Sequence, residues 1–237
     1  MQDTVHENLS LFLSPEHPCS YLPGRIARTV FLDPGTAPQN HTYSLLAERG
    51  FRRSGPYLYR SGCEHCHACV SVRIPVRDFK PDRSQRRTWR RNQDLGVRLY
   101  PAEFLHDHFS LYQRYITWRH PGGGMDPSSP ADYAGFLTGC SSHTFFAEMR
   151  LHDRLVAVAV VDSLDDSLSA VYNFYEPELP RRSLGTFAIL WEISEARRRG
   201  LDWLYLGYWI AASRKMAYKN RFHPFERLED DAWERVT

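Results

Sequence analysis

Residues 143–208 read HTFFAEMRLHDRLVAVAVVDSLDDSLSAVYNFYEPELPRRSLGTFAILWEISEARRRGLDWLYLGY. Three apolar segments, His143–Leu151, Leu155–Asp162 and Leu168–Tyr175, are separated by short polar turns and read as strands. Ser183–Arg199 then sets Leu184, Phe187, Ala188, Trp191 and Ser194/Glu195 at helical spacing, and Gly200 stands in a C-cap position. Trp203–Tyr208 is a further strand. The longest apolar run, Leu155–Val161, suits a buried strand and falls well short of the ~18 residues of a membrane span.

An antiparallel meander followed by one long helix and a strand predicts an α+β chain with the GNAT-like acyltransferase fold, a mixed and mostly antiparallel sheet with flanking helices. Working outward, a helix is predicted near Thr42–Arg49, ended by Gly50, with strands at Arg28–Leu32, Tyr57–Arg60 and Val70–Val76. The last of these alternates Val70, Val72, Ile74, Val76. Residues 84–95 read as a basic helix, Leu105–Trp118 as an apolar-patterned helix broken by His120-Pro-Gly-Gly-Gly, and Ala131–Leu137 as a short helix. The turn-rich first part suggests two units. Residues 1–100 form an N-terminal α/β module with the cysteines and the basic helix, and residues 101–237 a GNAT-like catalytic domain.

Of the 237 residues, 42% are hydrophobic and 14% aromatic, which supports a sizeable core and excludes disorder as the main state. The first residues, MQDTVHENLSLFLSPEHP, lack the basic start and apolar core of a secretory signal, so a cytoplasmic location is expected. The net charge of +2 hides an uneven distribution. Residues 73–98 hold nine basic side chains against Asp78, Asp82 and Asp94, and the end of the chain is acidic (Glu229, Asp230, Asp231, Glu234). Such a basic block suggests an anionic partner.

Four motifs carry potential chemistry. Cys63-Glu-His-Cys-His-Ala-Cys69 spaces three thiols as CxxCxxC. Tight turns can bring such sulfurs onto one metal ion, with Cys19, His65 or His67 as fourth ligand; reduced, unliganded thiols are the alternative. Cys140 stands alone. Arg83, Arg87 and Arg91 lie on one helical row beside Arg86 and Arg90, a cationic stripe suited to a phosphate backbone; the alternative is a solvated face paired with Asp82 and Asp94. At Leu179-Pro-Arg-Arg-Ser-Leu-Gly-Thr, a helix start offers backbone N–H groups to an anion or oxyanion, although the Gly-x-Gly of a pyrophosphate loop is missing and the motif alone reads as an N-cap by Ser183. Finally, residues 203–222 hold two of the chain's three lysines, Lys215 and Lys219, in a chain that otherwise uses arginine. Tyr208 and Tyr218 lie in the same stretch, and Tyr172 and Tyr175 add hydroxyls near the same strand ends. An aromatic core with a solvated rim is the plainer reading.

Phe51-Arg-Arg-Ser-Gly-Pro-Tyr-Leu-Tyr-Arg, Ser84-Gln-Arg-Arg, Val171-Tyr-Asn-Phe-Tyr-Glu-Pro-Glu, Ser183-Leu-Gly-Thr, and Leu206-Gly-Tyr-Trp-Ile with Lys215-Met-Ala-Tyr-Lys resemble, in order, blocks of the arginyl-tRNA–protein transferases. The resemblance covers residues 19–225. The short chain, without the long insertion of the eukaryotic enzymes, looks like the bacterial branch. Those enzymes move leucine from leucyl-tRNA to proteins that begin with Asp or Glu and so mark them for the N-degron pathway. The eukaryotic relatives are associated with an iron–sulfur cluster, and the resemblance makes Cys19, Cys63, Cys66 and Cys69 candidate ligands for zinc or such a cluster. Here Cys19 is followed by Ser-Tyr-Leu, so the early CxxC is absent. Transfer itself requires no cofactor.

The implied reaction converts an activated ester into an amide. The nucleophile is an α-amine with a pKa of about 7.7–8, so positioning rather than a strong base should supply the rate. The expected catalytic set is Tyr172, Glu176 (as proton acceptor), Ser183, Gly185, Thr186 and Tyr208. Arg52, Arg53, Lys215, Tyr218 and Lys219 are expected to bind substrate, the cations reading the acceptor carboxylate. Arg83, Arg86, Arg87, Arg90 and Arg91 are expected to hold the tRNA. Competing readings are arginine as the transferred group, a small-molecule N-acetyltransferase, and a zinc-knuckle RNA-binding module.

Overall fold

A computed structural model describes residues 9–36, 38–119, 129–138 and 143–237. The break expected from His120 and the lone Cys140 lie outside them. The N-terminal part runs through β1 (Leu11–Leu13), β2 (His17–Pro18), β3 (Ile26–Ala27), β4 (Thr29–Leu32), α1 (Asn40–Glu48), β5 (Arg52–Ser54), β6 (Tyr57–Ser61) and β7 (Val70–Pro75). Then come α2 (Arg83–Arg91), β8 (Leu95–Pro101), α3 (His106–Arg119) and α4 (Pro130–Leu137). The meander is β9 (Thr144–Leu151), β10 (Arg154–Ser163) and β11 (Ser167–Tyr175). It is followed by α5 (Leu184–Arg198), β12 (Trp203–Trp209), a 3-10 turn (Ala217–Arg221), β13 (Phe225–Glu229) and β14 (Ala232–Val236).

One eight-stranded sheet, in the order β14-β13-β7-β12-β11-β10-β9-β8, forms the centre. Among the described residues its only parallel neighbours are β11 and β12, joined through α5, since parallel strands need a crossover. This is the predicted meander–helix–strand order of an α+β, GNAT-like fold. The unbroken apolar run in β10 follows from burial on both faces. Leu155, Val158 and Val160 pack with α3 and α4, while Val156, Ala159 and Val161 pack with α5.

The boundary expected near residue 100 does not divide this sheet. β7 precedes it and β8 straddles it, yet β7 lies between β12 and β13 and β8 pairs with β9. Outside the central sheet stand a four-stranded sheet, β1-β4-β6-β5, and the β2/β3 pair. The basic helix is shorter than expected. Asp82 caps α2 in a reciprocal capping box with Gln85, Asn92 ends it, and Leu95 already opens an edge strand. The acidic end of the chain is a hairpin. Asp230 and Asp231 take positive φ of 47° and 61°, the two-residue turn that matches strand twist.

The sheet opens in the middle. β11 and β12 pair only from Ser167–Ser169 to Trp203–Tyr205 and then part. A bulge between Tyr205 and Gly207 turns β12 further, with Gly207 at φ 77°. The functional cavity lies in this opening.

Candidate functional site

The cavity measures about 1750 Å³. Its walls are Ala170–Tyr175 of β11, Leu206–Tyr208 of β12, Gly185, Thr186 and Ile189 of α5, Tyr112, Tyr115 and Arg119 of α3, and Arg52 and Arg53 of β5. Lys215, Tyr218, Lys219 and Phe222 close one side, and Asp82, Ser84 and Gln85 at the start of α2 reach the rim. Of the sequence-predicted catalytic and substrate-binding residues, Glu176 and Ser183 alone do not line it.

Arg52 and Arg53 are adjacent, both buried, and differ in their partners. Arg53 holds Asp162 through Nε at 2.7 Å and Nη2 at 3.0 Å, with neither side chain exposed. Tyr43 and Thr144 hydroxyls donate to the same carboxylate at 2.9 and 2.6 Å. This saturated pair ties β5 to β10, so the expectation that Arg53 reads a substrate carboxylate is corrected: its charge is already matched. Arg52 has no carboxylate partner among the described residues. Its Nη1 donates to the Phe51 carbonyl at 2.7 Å, its guanidinium lies 4.9 Å from the Tyr205 ring centre, and Nε and Nη2 have no acceptor.

Lys219 is the second buried cation. Its Nζ donates to the Tyr208 carbonyl at 2.7 Å. Burial, reinforced by Arg52, pulls its pKa down to about 7. Gly207 makes room for both: an added Cβ would stand 3.5 Å from Lys219 Nζ and 4.0 Å from Arg52 Nε. Lys215 and Tyr218 lie at the more exposed mouth.

Among the predicted catalytic residues, Tyr172 has a buried hydroxyl with no hydrogen-bond partner among the described residues. Tyr208 does not. Its hydroxyl accepts from Ser61 N–H at 3.1 Å and donates to the Gly50 carbonyl at 3.4 Å, so it joins β12 to the small sheet. Glu176 is also corrected. It points away from the cavity to Arg154 and Arg114, at 3.0 and 3.1 Å. Burial raises its pKa, but these two arginines outweigh it and hold the carboxyl below its ordinary value, which makes it a poor proton acceptor. Ser183 adopts φ 53°, stays exposed and makes no side-chain cap. The first intrahelical bond of α5 is Phe187 N–H to Ser183 O, so the Gly185 and Thr186 amides precede the ladder. Gly185 is required sterically: a Cβ there would meet Tyr175 Cε1 at 2.9 Å. Sequence reasoning assigned no role to Asn173, Tyr115 or Arg119. The β11 register, once its opening from β12 is known, brings Asn173 into the cavity.

The α2 arginines, Arg83, Arg86, Arg87, Arg90 and Arg91, are all exposed. Asp82 is occupied as the N-cap, and Asp94 pairs with Arg182 at 2.8 Å. No ion pair joins any of the five to a carboxylate among the described residues. The stripe is therefore an unneutralised cationic face whose leading end reaches the cavity rim.

Cys19, Cys63, Cys66 and Cys69 are neighbours in space. Burial, then the charges of the other three, push the Cys69 thiol up to about 11. Tyr21 and Leu22 N–H groups donate to Cys19 Sγ, and Arg28 N–H to Cys63 Sγ. His65 and His67 point to solvent. The donors are chemically suited to a thiophilic metal, but among the described residues no three of them converge as a ligand set.

Residues 17–87 match the model for the N terminus of arginine-tRNA-protein transferase, and residues 107–229 match that for its C terminus. An aspartate/glutamate leucyltransferase of Nitrosococcus oceani is 50% identical over 97% of both chains. One from Stenotrophomonas maltophilia is 51% identical over 96% of this chain and 93% of its own. Among solved structures, the C-terminal domain of a putative lysylphosphatidylglycerol synthetase from Agrobacterium fabrum superposes with a TM-score of 0.51 at 12% identity. That match covers 80% of this chain and 61% of the other, a likeness of fold alone. With two family models covering most of its length and relatives half-identical from end to end, the chain belongs to the arginine-tRNA–protein transferase family.

Proposed function

We propose that this cavity transfers leucine from leucyl-tRNA to the α-amine of proteins beginning with Asp or Glu, tagging them for N-degron turnover in the cytoplasm. The observation that carries the reading is the pair Arg52 and Lys219: two buried cations on a cavity wall with no carboxylate among the described residues to neutralise them. A buried unpaired cation is costly, and an entering acidic side chain relieves that cost. A neutral N-terminal residue leaves the cations unmatched, so the site rejects it strongly.

The tRNA acceptor stem lies on the α2 stripe, whose start delivers the aminoacylated 3′ end to the rim. Ile189, Leu206 and Phe222 offer the leucyl side chain an apolar surface. The lining carboxylates, Asp82 and Asp132, are both exposed. Glu192, which does not line the cavity, is fully buried, and burial pushes its carboxyl up to about 8, toward the neutral form. Among the described residues no buried carboxylate lines the cavity to await a guanidinium, which favours leucine over arginine. The neutral α-amine attacks the ester carbonyl, the tetrahedral adduct expels the ribose oxygen of the tRNA, and the amine proton ends on that oxygen. Gly185 and Thr186 amides and the Tyr172 hydroxyl are placed to steady the developing oxyanion.

An acetyl-CoA-dependent reaction fits less well, because the Tyr175 ring fills the space against Gly185 where a pyrophosphate would approach α5. The test is transfer of labelled leucine or arginine from charged tRNA to peptides beginning Asp, Glu or Ala. Leucine on Asp and Glu but not Ala is expected. Transfer of arginine, or equal labelling of the Ala peptide, overturns the reading.

A further inference from the structure

Gln85 stands among the arginines of α2, but its own side chain is buried and lines the cavity. It makes two hydrogen bonds of opposite sense. Its Oε1 accepts from Asp82 N–H at 2.8 Å and closes the capping box of α2. Its Nε2 donates to the Arg221 carbonyl at 2.9 Å, 136 residues further along the chain. A backbone N–H only donates and a carbonyl only accepts, so the two ends of this amide cannot exchange. Gln85 thus joins the first turn of α2 to the end of the 217–221 turn, which carries Lys219.

The platform on which Gln85 sits is fixed at both ends. Asp82 caps α2 at its start. At its end the buried Asn92 donates through Nδ2 to the Thr88 and Arg182 carbonyls, each at 2.9 Å. Between them the Trp89 ring packs on Phe187 of α5, with centroids 5.5 Å apart.

The Lys219 ammonium needs such a hold. It sits out of water beside Arg52, on a flexible four-carbon stem, and water would solvate its charge better than the pocket does. It stays buried only if the backbone that carries it is held. Two anchors follow it in the chain: the Gln85 bond to the Arg221 carbonyl, and the buried Phe222 ring, 6.3 Å from that of Phe79.

We propose that Gln85 is the positioning residue of the acceptor pocket: its carboxamide locks the Lys219 turn to the start of the tRNA-binding helix. The acceptor carboxylate is then read at a fixed distance from the rim where the aminoacylated 3′ end arrives. This rests on the reading above that Lys219 receives the acceptor and α2 the tRNA. Burial, then Arg52 of β5, keep the Lys219 pKa down at about 7. From β12 it meets the Tyr208 carbonyl. The charged group of α2 at the cavity rim, Asp82, is engaged as the N-cap, while Glu192 of α5 and Arg119 of α3 act on Tyr218. A Lys219 released to water regains its ordinary value of 10.5.

The test uses Gln85→Glu, which can still accept from Asp82 N–H but cannot donate to the Arg221 carbonyl. Initial rates of leucine transfer are measured against Asp-peptide concentration at pH 7 and 8, beside filter binding of leucyl-tRNA and urea unfolding. KM for the peptide should rise about 10-fold at pH 7, the effect of stranding one buried carbonyl. kcat at saturating peptide, leucyl-tRNA affinity and its salt slope should stay within about twofold of wild type. The rise in KM between pH 7 and 8 that a buried Lys219 gives wild type should disappear. Gln85→Met, which removes the amide without adding a charge, should behave alike, and it decides alone if Gln85→Glu does not fold. An unchanged KM, or a raised KM that keeps the wild-type pH dependence, overturns the proposal. So does a KM that worsens only together with leucyl-tRNA affinity and the urea midpoint, since Gln85 would then serve the fold alone. Absence of leucine transfer by wild type overturns instead the reading of the cavity.

Discussion

Lys219 and Arg52 flank Gly207, with Lys219 Nζ and Arg52 Nε 3.5 and 4.0 Å from the point where a side chain would begin, and no carboxylate among the described residues partners either cation. Two like charges are held together out of water by the fold around them, the arrangement of a site that awaits an anion. Lys219→Met should therefore lower kcat/KM for Asp and Glu peptides by about 10²-fold or more, the usual effect of removing one partner of a buried charged contact. Filter binding of leucyl-tRNA should be unchanged, because the α2 stripe is untouched. Equal loss of both activities would remove Lys219 from acceptor recognition.

The depressed Lys219 pKa sets a direction for pH dependence. In the empty pocket the ammonium titrates near 7, so rising pH removes the charge that the acceptor carboxylate needs. KM for an Asp peptide should rise by about fivefold between pH 7 and 8, by linkage to a single proton. Over the same range kcat should not fall, since the α-amine becomes more nucleophilic. Lys219 also binds fewer protons folded than unfolded between about 7 and its ordinary value of 10.5, so its contribution to stability increases with pH across that window. Initial rates at several peptide concentrations and three pH values check the KM trend.

What could be read from the sequence follows from how local each signal is. The helical stripe of α5 and the two-sided apolar run of β10 are each complete within one segment, and both elements appear where expected. The β13/β14 hairpin escaped because Asp230-Asp231 reads as acidic charge before it reads as a left-handed turn. The site depended on distant partners. Arg52 and Arg53 are indistinguishable in sequence, and only Asp162, 109 residues further on, separates them. Glu176 looked like a proton acceptor until Arg114 and Arg154 were found against it.

The five exposed arginines of α2 predict a salt signature. Each phosphate contact releases about one counterion from the RNA, so Arg87→Ala should reduce the slope of log affinity against log salt by about 1. The triple change Arg83→Ala, Arg87→Ala, Arg91→Ala should reduce it by about 3 and weaken uncharged and charged tRNA alike. kcat at saturating leucyl-tRNA should be retained, because none of these side chains lines the cavity. A salt slope unaffected by the triple change would move the tRNA to another face.

Arg53 and Arg52 should answer mutation in opposite ways. Arg53→Met strands Asp162, whose carboxylate would keep only the Tyr43 and Thr144 hydroxyls in a fully buried position. Breaking such a pair by removing one partner costs about 3–5 kcal/mol, a large fraction of a domain's total stability. The double change Arg53→Met, Asp162→Leu should recover part of that loss, since it leaves no charge behind. Arg52→Met removes a buried cation that has no carboxylate partner, so urea unfolding should shift far less, while transfer to Asp and Glu peptides collapses. A stability loss at Arg52 matching that at Arg53 would mean that Arg52, too, serves the fold rather than the substrate.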